Sequence, residues 1–215
     1  MEIISKLFGS AAKVKIMRLF LFNPGVSYGL DEITSRAKVK GREARAELDA
    51  LLKIGLVKKR DYVKEAVKMK TIGKGRKKRK KKVIKKIRVT GWMLQEAFPY
   101  MVALKNLLVN VTLPGHEEIA RRFGGVGRIK MLVVSGLFIQ DWDSRVDLLV
   151  VGDAIKPGQL ENTIKNLEAE IGKELRYSAF ETPDFYYRLG IFDKLIRDIL
   201  DFPHVKIIDK LGIES

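Results

Sequence analysis

Seven consecutive basic residues at positions 76–82 are the strongest constraint on how this chain can fold. A run of like charges this dense cannot pack against an apolar surface, so it must lie outside any core. Two glycines, Gly73 and Gly75, precede the run, and apolar residues alternate with polar ones on both sides of it. The alternating residues are Val57, Val63, Val67 and Met69 before the run, and Val83, Ile87 and Val89 after it. A period of two predicts a long β-hairpin with a basic tip.

Helical periodicity dominates the residues before the hairpin. A first helix is predicted over residues 10–22, where Asn23, Pro24 and Gly25 stop it. A short second helix carries Leu30, Ile33 and Ala37 on one face, and a third begins near Gly41 and ends at Gly55. The third helix is expected to bury Ala44, Leu48, Leu51 and Leu52. Three short helices in this order predict a helix-turn-helix core.

This order of helices and hairpin resembles the winged-helix transcriptional regulators over residues 7–90. The sequence LDALLKIGLV at residues 48–57 is similar to that family's passage from recognition helix to wing. The resemblance implies that the third helix enters the major groove of double-stranded DNA while the hairpin contacts the backbone or minor groove. The DNA-binding residues expected on this basis are Lys38, Lys40, Arg42, Arg45, Lys74, Arg76, Lys77, Lys78, Arg79, Lys80, Lys81 and Lys82.

The same residues are also compatible with roles other than DNA binding. A basic run by itself also describes a targeting signal or a contact to ribosomal RNA. Arg42 and Arg45 either read base edges or are surface residues that pair with Glu43, Glu47 or Asp49. The sequence leaves both alternatives open.

The charge distribution favours two domains with different tasks. Residues 1–90 contain 27 Lys and Arg against 8 Asp and Glu, whereas residues 91–215 contain 15 against 18. We therefore predict an α+β chain with a winged helix at residues 1–90, a connecting helix at 91–113 and a second domain at 114–215. The chain has no cysteine and only two histidines, which excludes disulfides and thiolate metal sites, and we expect no metal and no cofactor. No apolar stretch has the length of a membrane span and no secretory signal is visible, so we expect a cytoplasmic protein.

The connecting segment carries Leu104, Leu107 and Leu108 at helical spacing after Pro99. This apolar face either packs into the core of the same chain or contacts a second copy. The resemblance to winged-helix regulators implies a homodimer, because such regulators commonly bind DNA with two-fold symmetry.

The second domain is predicted to be a small mixed α/β unit. We expect a helix over residues 116–123, a glycine turn at 124–127, and strands at 129–134 and 146–151. A helix from Pro157 to Gly172, a strand at 176–180 and one long last helix that begins near Thr182 complete the prediction.

Two strands of this domain resemble the minimal nucleotidyltransferases of the polymerase-beta-like superfamily. The sequences MLVVSG at 131–136 and RVDLLVV at 145–151 are similar to strands that carry Gly-Ser and Asp-x-Asp in that family. The aspartate pair shares the divalent metal ions of nucleotidyl transfer. In this chain Arg145 replaces the first aspartate, only Asp147 remains, and residues 175–180 contain no third carboxylate.

The resemblance therefore implies a degenerate, non-catalytic domain. Ser135, Gly136, Arg145 and Asp147 would line a vestigial pocket for a nucleotide or another small molecule, or else they only form a turn in which Asp147 pairs with Arg145. The predicted function is a DNA-binding transcriptional regulator whose second domain senses a ligand, dimerises or recruits a partner. The alternatives are a nucleic-acid-associated nucleotidyltransferase and an RNA-binding or antitoxin-like interaction protein.

Overall fold

The first four helices follow the local signals in the sequence. They are α1 (Glu2–Leu7), α2 (Ala11–Phe22), α3 (Leu30–Ala37) and α4 (Gly41–Lys53), in a computed structural model that describes residues 2–72, 79–110 and 113–213. Ser10 caps α2 by accepting a hydrogen bond from the Lys13 amide. Gly55 has a φ of 79°, which a glycine adopts at little cost after a helix. The three helices predicted before the hairpin are confirmed.

Helix α2 is buried on almost every side. Its buried apolar side chains include Val14, Ile16, Leu19 and Phe20, while Ala11 in its first turn is exposed. The helix lies between α3 and α4 on one side and a helix of the second half of the chain on another. A helix that is packed on several sides carries apolar residues around most of its circumference and has no separate polar face.

The long hairpin is confirmed. Strand β1 (Val57–Ile72) pairs antiparallel with β2 (Arg79–Leu94), in a register that runs from Val57 opposite Leu94 to Ile72 opposite Arg79. Tyr28 forms an isolated β-bridge with β2, since it exchanges two main-chain hydrogen bonds of 2.9 Å with Trp92. Gly91 permits this approach, because a Cβ atom there would lie 2.5 Å from the Tyr28 carbonyl oxygen. Strand β2 thus runs past the domain boundary predicted at residue 90.

The connecting segment contains the predicted helix, α5 (Met101–Lys105), which continues as a π-helical turn (Asn106–Asn110). Leu108 is buried in the core of the first four helices, and Leu104 and Leu107 pack against that core. Packing within one chain therefore accounts for the apolar face of this segment.

The second half of the chain forms a four-stranded mixed sheet with helices on both faces, so the protein is α+β. Its elements are α6 (His116–Phe123), β3 (Arg128–Val134), a 3₁₀ turn (Gly136–Ile139), β4 (Leu148–Asp153), α7 (Pro157–Ile171), β5 (Tyr177–Glu181), α8 (Thr182–Gly190), α9 (Lys194–Leu200) and β6 (Val205–Asp209). The strand order is β5-β4-β3-β6, with β4 and β5 parallel and the other pairs antiparallel. Strands β3 and β4 are buried on both faces.

The prediction of a single long last helix was wrong, because α8 and α9 are separate helices. The chain leaves helical geometry at Phe192, whose φ is 55°, and Asp193 caps α9 by accepting from the amides of Leu195 and Ile196. The edge strand β6 was not predicted, because four of its five residues are partly buried, the fifth is exposed, and the strand shows no clear alternation. None of the described helices is both long enough and apolar enough to cross a lipid bilayer.

Arg18 joins the two halves of the chain. Its side chain is 2% exposed and donates from Nε to the Leu108 carbonyl at 2.9 Å and from Nη1 to the Glu170 carbonyl, on α7, at 2.8 Å. Burial lowers the pKa of Arg18, and the nearby Glu170 carboxylate opposes that shift. Gly172 ends α7 so close to α2 that a Cβ atom would lie 2.5 Å from the main-chain carbon of Arg18. The contact is therefore tightly packed.

We predict that Arg18→Met lowers the free energy of unfolding by about 2–4 kcal/mol, because two main-chain oxygens lose a charged donor. Urea unfolding monitored by circular dichroism measures the change. The matched control is Arg197→Met, which breaks only an exposed ion pair with Asp201 and should cost less than about 1 kcal/mol. Equal losses in the two variants would mean that Arg18 has no special role.

Candidate nucleic-acid interface

The positive charge of the protein is concentrated on the hairpin. Residues 57–94 contain 17 Lys and Arg against two Asp and Glu, whereas the whole chain contains 42 against 26. The rest of the chain is therefore nearly neutral, and the hairpin provides almost the entire net charge of +16. A surface this basic attracts polyanions over several ångströms.

One face of the hairpin is open to solvent beyond its base. Val57, Trp92 and Leu94 are buried where the hairpin leaves the helical core, but Val63 is 61% exposed and Ile84 is 63% exposed. These two residues lie on the same face in the register of the strands, whereas the described apolar residues of the other face are only partly exposed. The hairpin thus projects from the body of the protein with its cations accessible.

Contacts at the base fix the direction of the hairpin. The Glu32 carboxylate, at the start of α3, accepts hydrogen bonds from the Gly29 amide at 2.7 Å and from the Tyr62 hydroxyl of β1. Burial, together with that hydrogen bond, raises the pKa of Tyr62 to about 12, so its hydroxyl remains a donor at neutral pH. The ammonium of Lys59 lies 4.6 Å from the centroid of the Trp92 ring.

Arg42 and Arg45 occupy the exposed side of α4, opposite the buried face formed by Ala44, Leu48 and Leu51. Neither guanidinium forms an ion pair with any carboxylate that the structure describes, and Glu47 pairs with Lys13 of α2 at 3.3 Å instead. The surface pairing with Glu43, Glu47 or Asp49 is therefore not observed. Both arginines are available to a ligand.

The remaining predicted DNA contacts lie in different surroundings. Lys38 adopts a left-handed backbone conformation after α3, and its ammonium donates to Asn166 of α7 at 2.8 Å, so this side chain reaches toward the second half of the chain. Lys40 is the exposed N-cap of α4. Residues Arg79, Lys80, Lys81 and Lys82 begin strand β2. Residues Lys74, Arg76, Lys77 and Lys78 lie outside the described residues.

Asp147, the remaining aspartate of the nucleotidyltransferase-like motif, is 2% exposed, and both of its carboxylate oxygens accept hydrogen bonds within the protein. Its Oδ1 accepts from the Leu137 amide at 2.9 Å, and its Oδ2 accepts from the Arg176 amide at 2.8 Å. The Arg176 guanidinium also donates to both oxygens at 3.3 Å. Asp147 therefore joins the 3₁₀ turn to the start of β5 and pairs with Arg176, which the sequence analysis did not single out.

The four residues of the predicted vestigial pocket do not share one cavity. Gly136 has a φ of 53°, and a Cβ atom there would collide with Asp147, while the buried Ser135 hydroxyl donates to the Pro203 carbonyl at 3.0 Å. Arg145 alone is exposed, pairs with Asp198 of α9 at 2.9 Å, and lines a small cavity of about 170 Å³. That cavity also contains Asp141 and Asp143. Among the described residues, no three carboxylates or histidines group as metal ligands.

No family model matches the chain, and no curated protein or solved structure matches it significantly. The candidate interface is therefore defined by its own geometry. It consists of a projecting basic hairpin and two accessible arginines on a neighbouring helix.

We predict that Asp147→Asn lowers the free energy of unfolding by about 1.5–3 kcal/mol, since an amide cannot accept from all the donors that surround the carboxylate. Affinity for duplex DNA should remain unchanged. Thermal unfolding and a binding titration on the same preparation measure both quantities. Asp143→Asn, an exposed change nearby, is the control and should alter stability by less than about 0.5 kcal/mol. A variant as stable as wild type would show that Asp147 does not hold the turn.

Proposed function

We propose that this protein is a DNA-binding transcriptional regulator, with α2, α3, α4 and the hairpin as a winged helix. Three helices followed by a hairpin is the order that the resemblance to winged-helix regulators implies. The β-bridge between Tyr28, which lies between α2 and α3, and Trp92 of β2 holds the hairpin against the helices and supports this assignment.

The observation that carries the proposal is the charge of residues 57–94, 17 basic against two acidic, on a hairpin that beyond its base has one exposed and one partly exposed face. Each Lys or Arg that neutralises a phosphate releases counterions from the duplex, so such a surface gains affinity from contacts that are independent of base sequence. The hairpin would therefore supply affinity.

Helix α4 would supply specificity. Arg42 and Arg45 lie near its N-terminal end, and neither is engaged by a carboxylate within the described part of the chain. An arginine at this place on a recognition helix can donate two hydrogen bonds to one guanine in the major groove. A guanidinium already held in an ion pair would have to break it first.

For the second half we propose a degenerate nucleotidyltransferase-like domain that does not catalyse. The antiparallel pair β3 and β4, followed by α7 and the parallel strand β5, supports the fold assignment. Arg145 in place of a metal ligand, and a buried Asp147 with satisfied oxygens, support the loss of activity. The domain would act in ligand sensing, dimerisation or partner binding within a homodimer.

Neutralising Arg60, Lys85 and Lys86 together, each to Gln, should weaken binding to every duplex and reduce the salt dependence. Each lost phosphate contact removes about 0.9 from the slope of log K against log salt concentration, so the slope should fall by about 2 to 3. Fluorescence anisotropy with labelled duplexes measures it. The control neutralises Arg121, Lys156 and Lys194, three exposed cations outside the hairpin, and should keep the slope.

Selection from a random duplex library completes this test. Arg42→Gln and Arg45→Gln should each relax the base preference at one position of the selected site while binding to random DNA stays within about two-fold. An equal slope in the hairpin and control variants, or tighter binding to single-stranded or duplex RNA than to duplex DNA, would contradict the proposal and favour the RNA-binding alternative.

A further inference from the structure

The hairpin is much longer than a contact with DNA phosphates through its tip alone would require. Each strand has 16 residues, all paired in one continuous register. At about 3.4 Å per residue the ribbon extends for roughly 50 Å. Duplex DNA rises about 3.4 Å per base pair, so the ribbon has the length of about 15 base pairs.

Its cations are spread along this length. Between the base and the tip, Arg60, Lys85, Lys86 and Arg88 are exposed. One of the two acidic residues, Asp61, is already occupied, because it accepts from the Thr90 hydroxyl at 2.6 Å and lies 4.0 Å from Arg88. A hairpin that contacted DNA only through its tip would not need cations on its flanks.

The ribbon places like charges opposite one another near its outer end. A two-stranded hairpin with no covering element is marginal in water, and like charges placed opposite one another weaken it further. Lys70 and Lys81 are direct partners in the register. A polyanion that reaches this end of the ribbon removes that repulsion.

We infer that the hairpin lies lengthwise in the major groove of a DNA duplex and extends the contact by about one helical turn to one side of α4. This inference rests on the proposed DNA binding. A two-stranded ribbon fits the major groove, about 12 Å wide, and is too broad for the minor groove, about 6 Å wide. Cations on both edges then reach phosphates on both walls. The binding site is consequently long and asymmetric about α4.

The inference can be tested with a variant whose ribbon is shorter but whose outer end is unchanged. A deletion of residues 65–68 and 83–86 removes four consecutive partner pairs and leaves the register and face alternation of the others intact. It shortens the ribbon by about 13 Å, or about 4 base pairs, and keeps residues 69–82. The deletion takes away three cations and one carboxylate. The matched control, Lys85→Gln with Lys86→Gln, makes the same change in net charge at full length.

Hydroxyl-radical footprints and methylation protection of guanine N7 are the measurements, on a duplex of about 40 base pairs selected by the wild-type protein. We expect continuous protection from the α4 site to a distal edge, which retreats by about 4 base pairs in the deletion variant and stays fixed in the control. A distal edge at the same position in both variants would overturn the inference, as would guanine N7 atoms that stay reactive along the extension.

Failure of the proposed DNA binding and failure of the lengthwise placement of the ribbon give different footprints. Absence of any footprint for the wild-type protein, at concentrations where circular dichroism shows it folded, would overturn the proposed function itself. A compact symmetrical footprint would leave DNA binding in place and reject only the lengthwise ribbon. If the deletion variant is unfolded, the control and wild-type footprints still decide, since a short wild-type footprint contradicts the inference directly.

Discussion

The buried guanidinium of Arg18 is the interaction on which the arrangement of this protein depends. It lies at the centre of α2 and donates to main-chain oxygens of the connecting segment and of α7, so the helical core and the mixed sheet share one hydrogen-bonded centre. Asn23 adds a second link, since its amide donates to the Gly172 carbonyl at 2.9 Å. Because α2 also packs against α3 and α4, packed helices connect the sheet unit to the proposed recognition helix.

In contrast to the packed body of the protein, the hairpin projects from it. Tyr28, Glu32 and Tyr62 fix its base, and beyond the base one face is exposed and the described part of the other face is partly exposed. A nearly neutral body thus carries one strongly basic projection. The separation of charge from the packed core allows the hairpin to change length or charge with little effect on stability of the rest. Such independence suits a polyanion contact, which needs accessible cations more than shape complementarity.

Much of the fold was predictable because its signals are local. Ser10, Gly55 and Gly172 mark helix ends by backbone chemistry, and the alternation around residues 76–82 indicates a hairpin whatever surrounds it. The contacts made between distant segments were not predictable. Arg18 looks like an interruption of an apolar helix, and only the folded chain brings Arg176 to Asp147 in place of Arg145. The break at Phe192 had one signal that the sequence analysis missed, an aspartate in N-cap position just before α9.

Backbone amide hydrogen exchange with and without duplex DNA distinguishes a hairpin contact from a contact elsewhere, since it reports on every element in one experiment. We expect the amides of β1, β2 and the first turn of α4 to exchange faster in the free protein and to become protected on the duplex. Amides of β3 and β4, buried on both faces of the sheet, should exchange slowly in both states. Protection that appears in the sheet unit while the hairpin stays unchanged would contradict the account and place the nucleic-acid contact elsewhere.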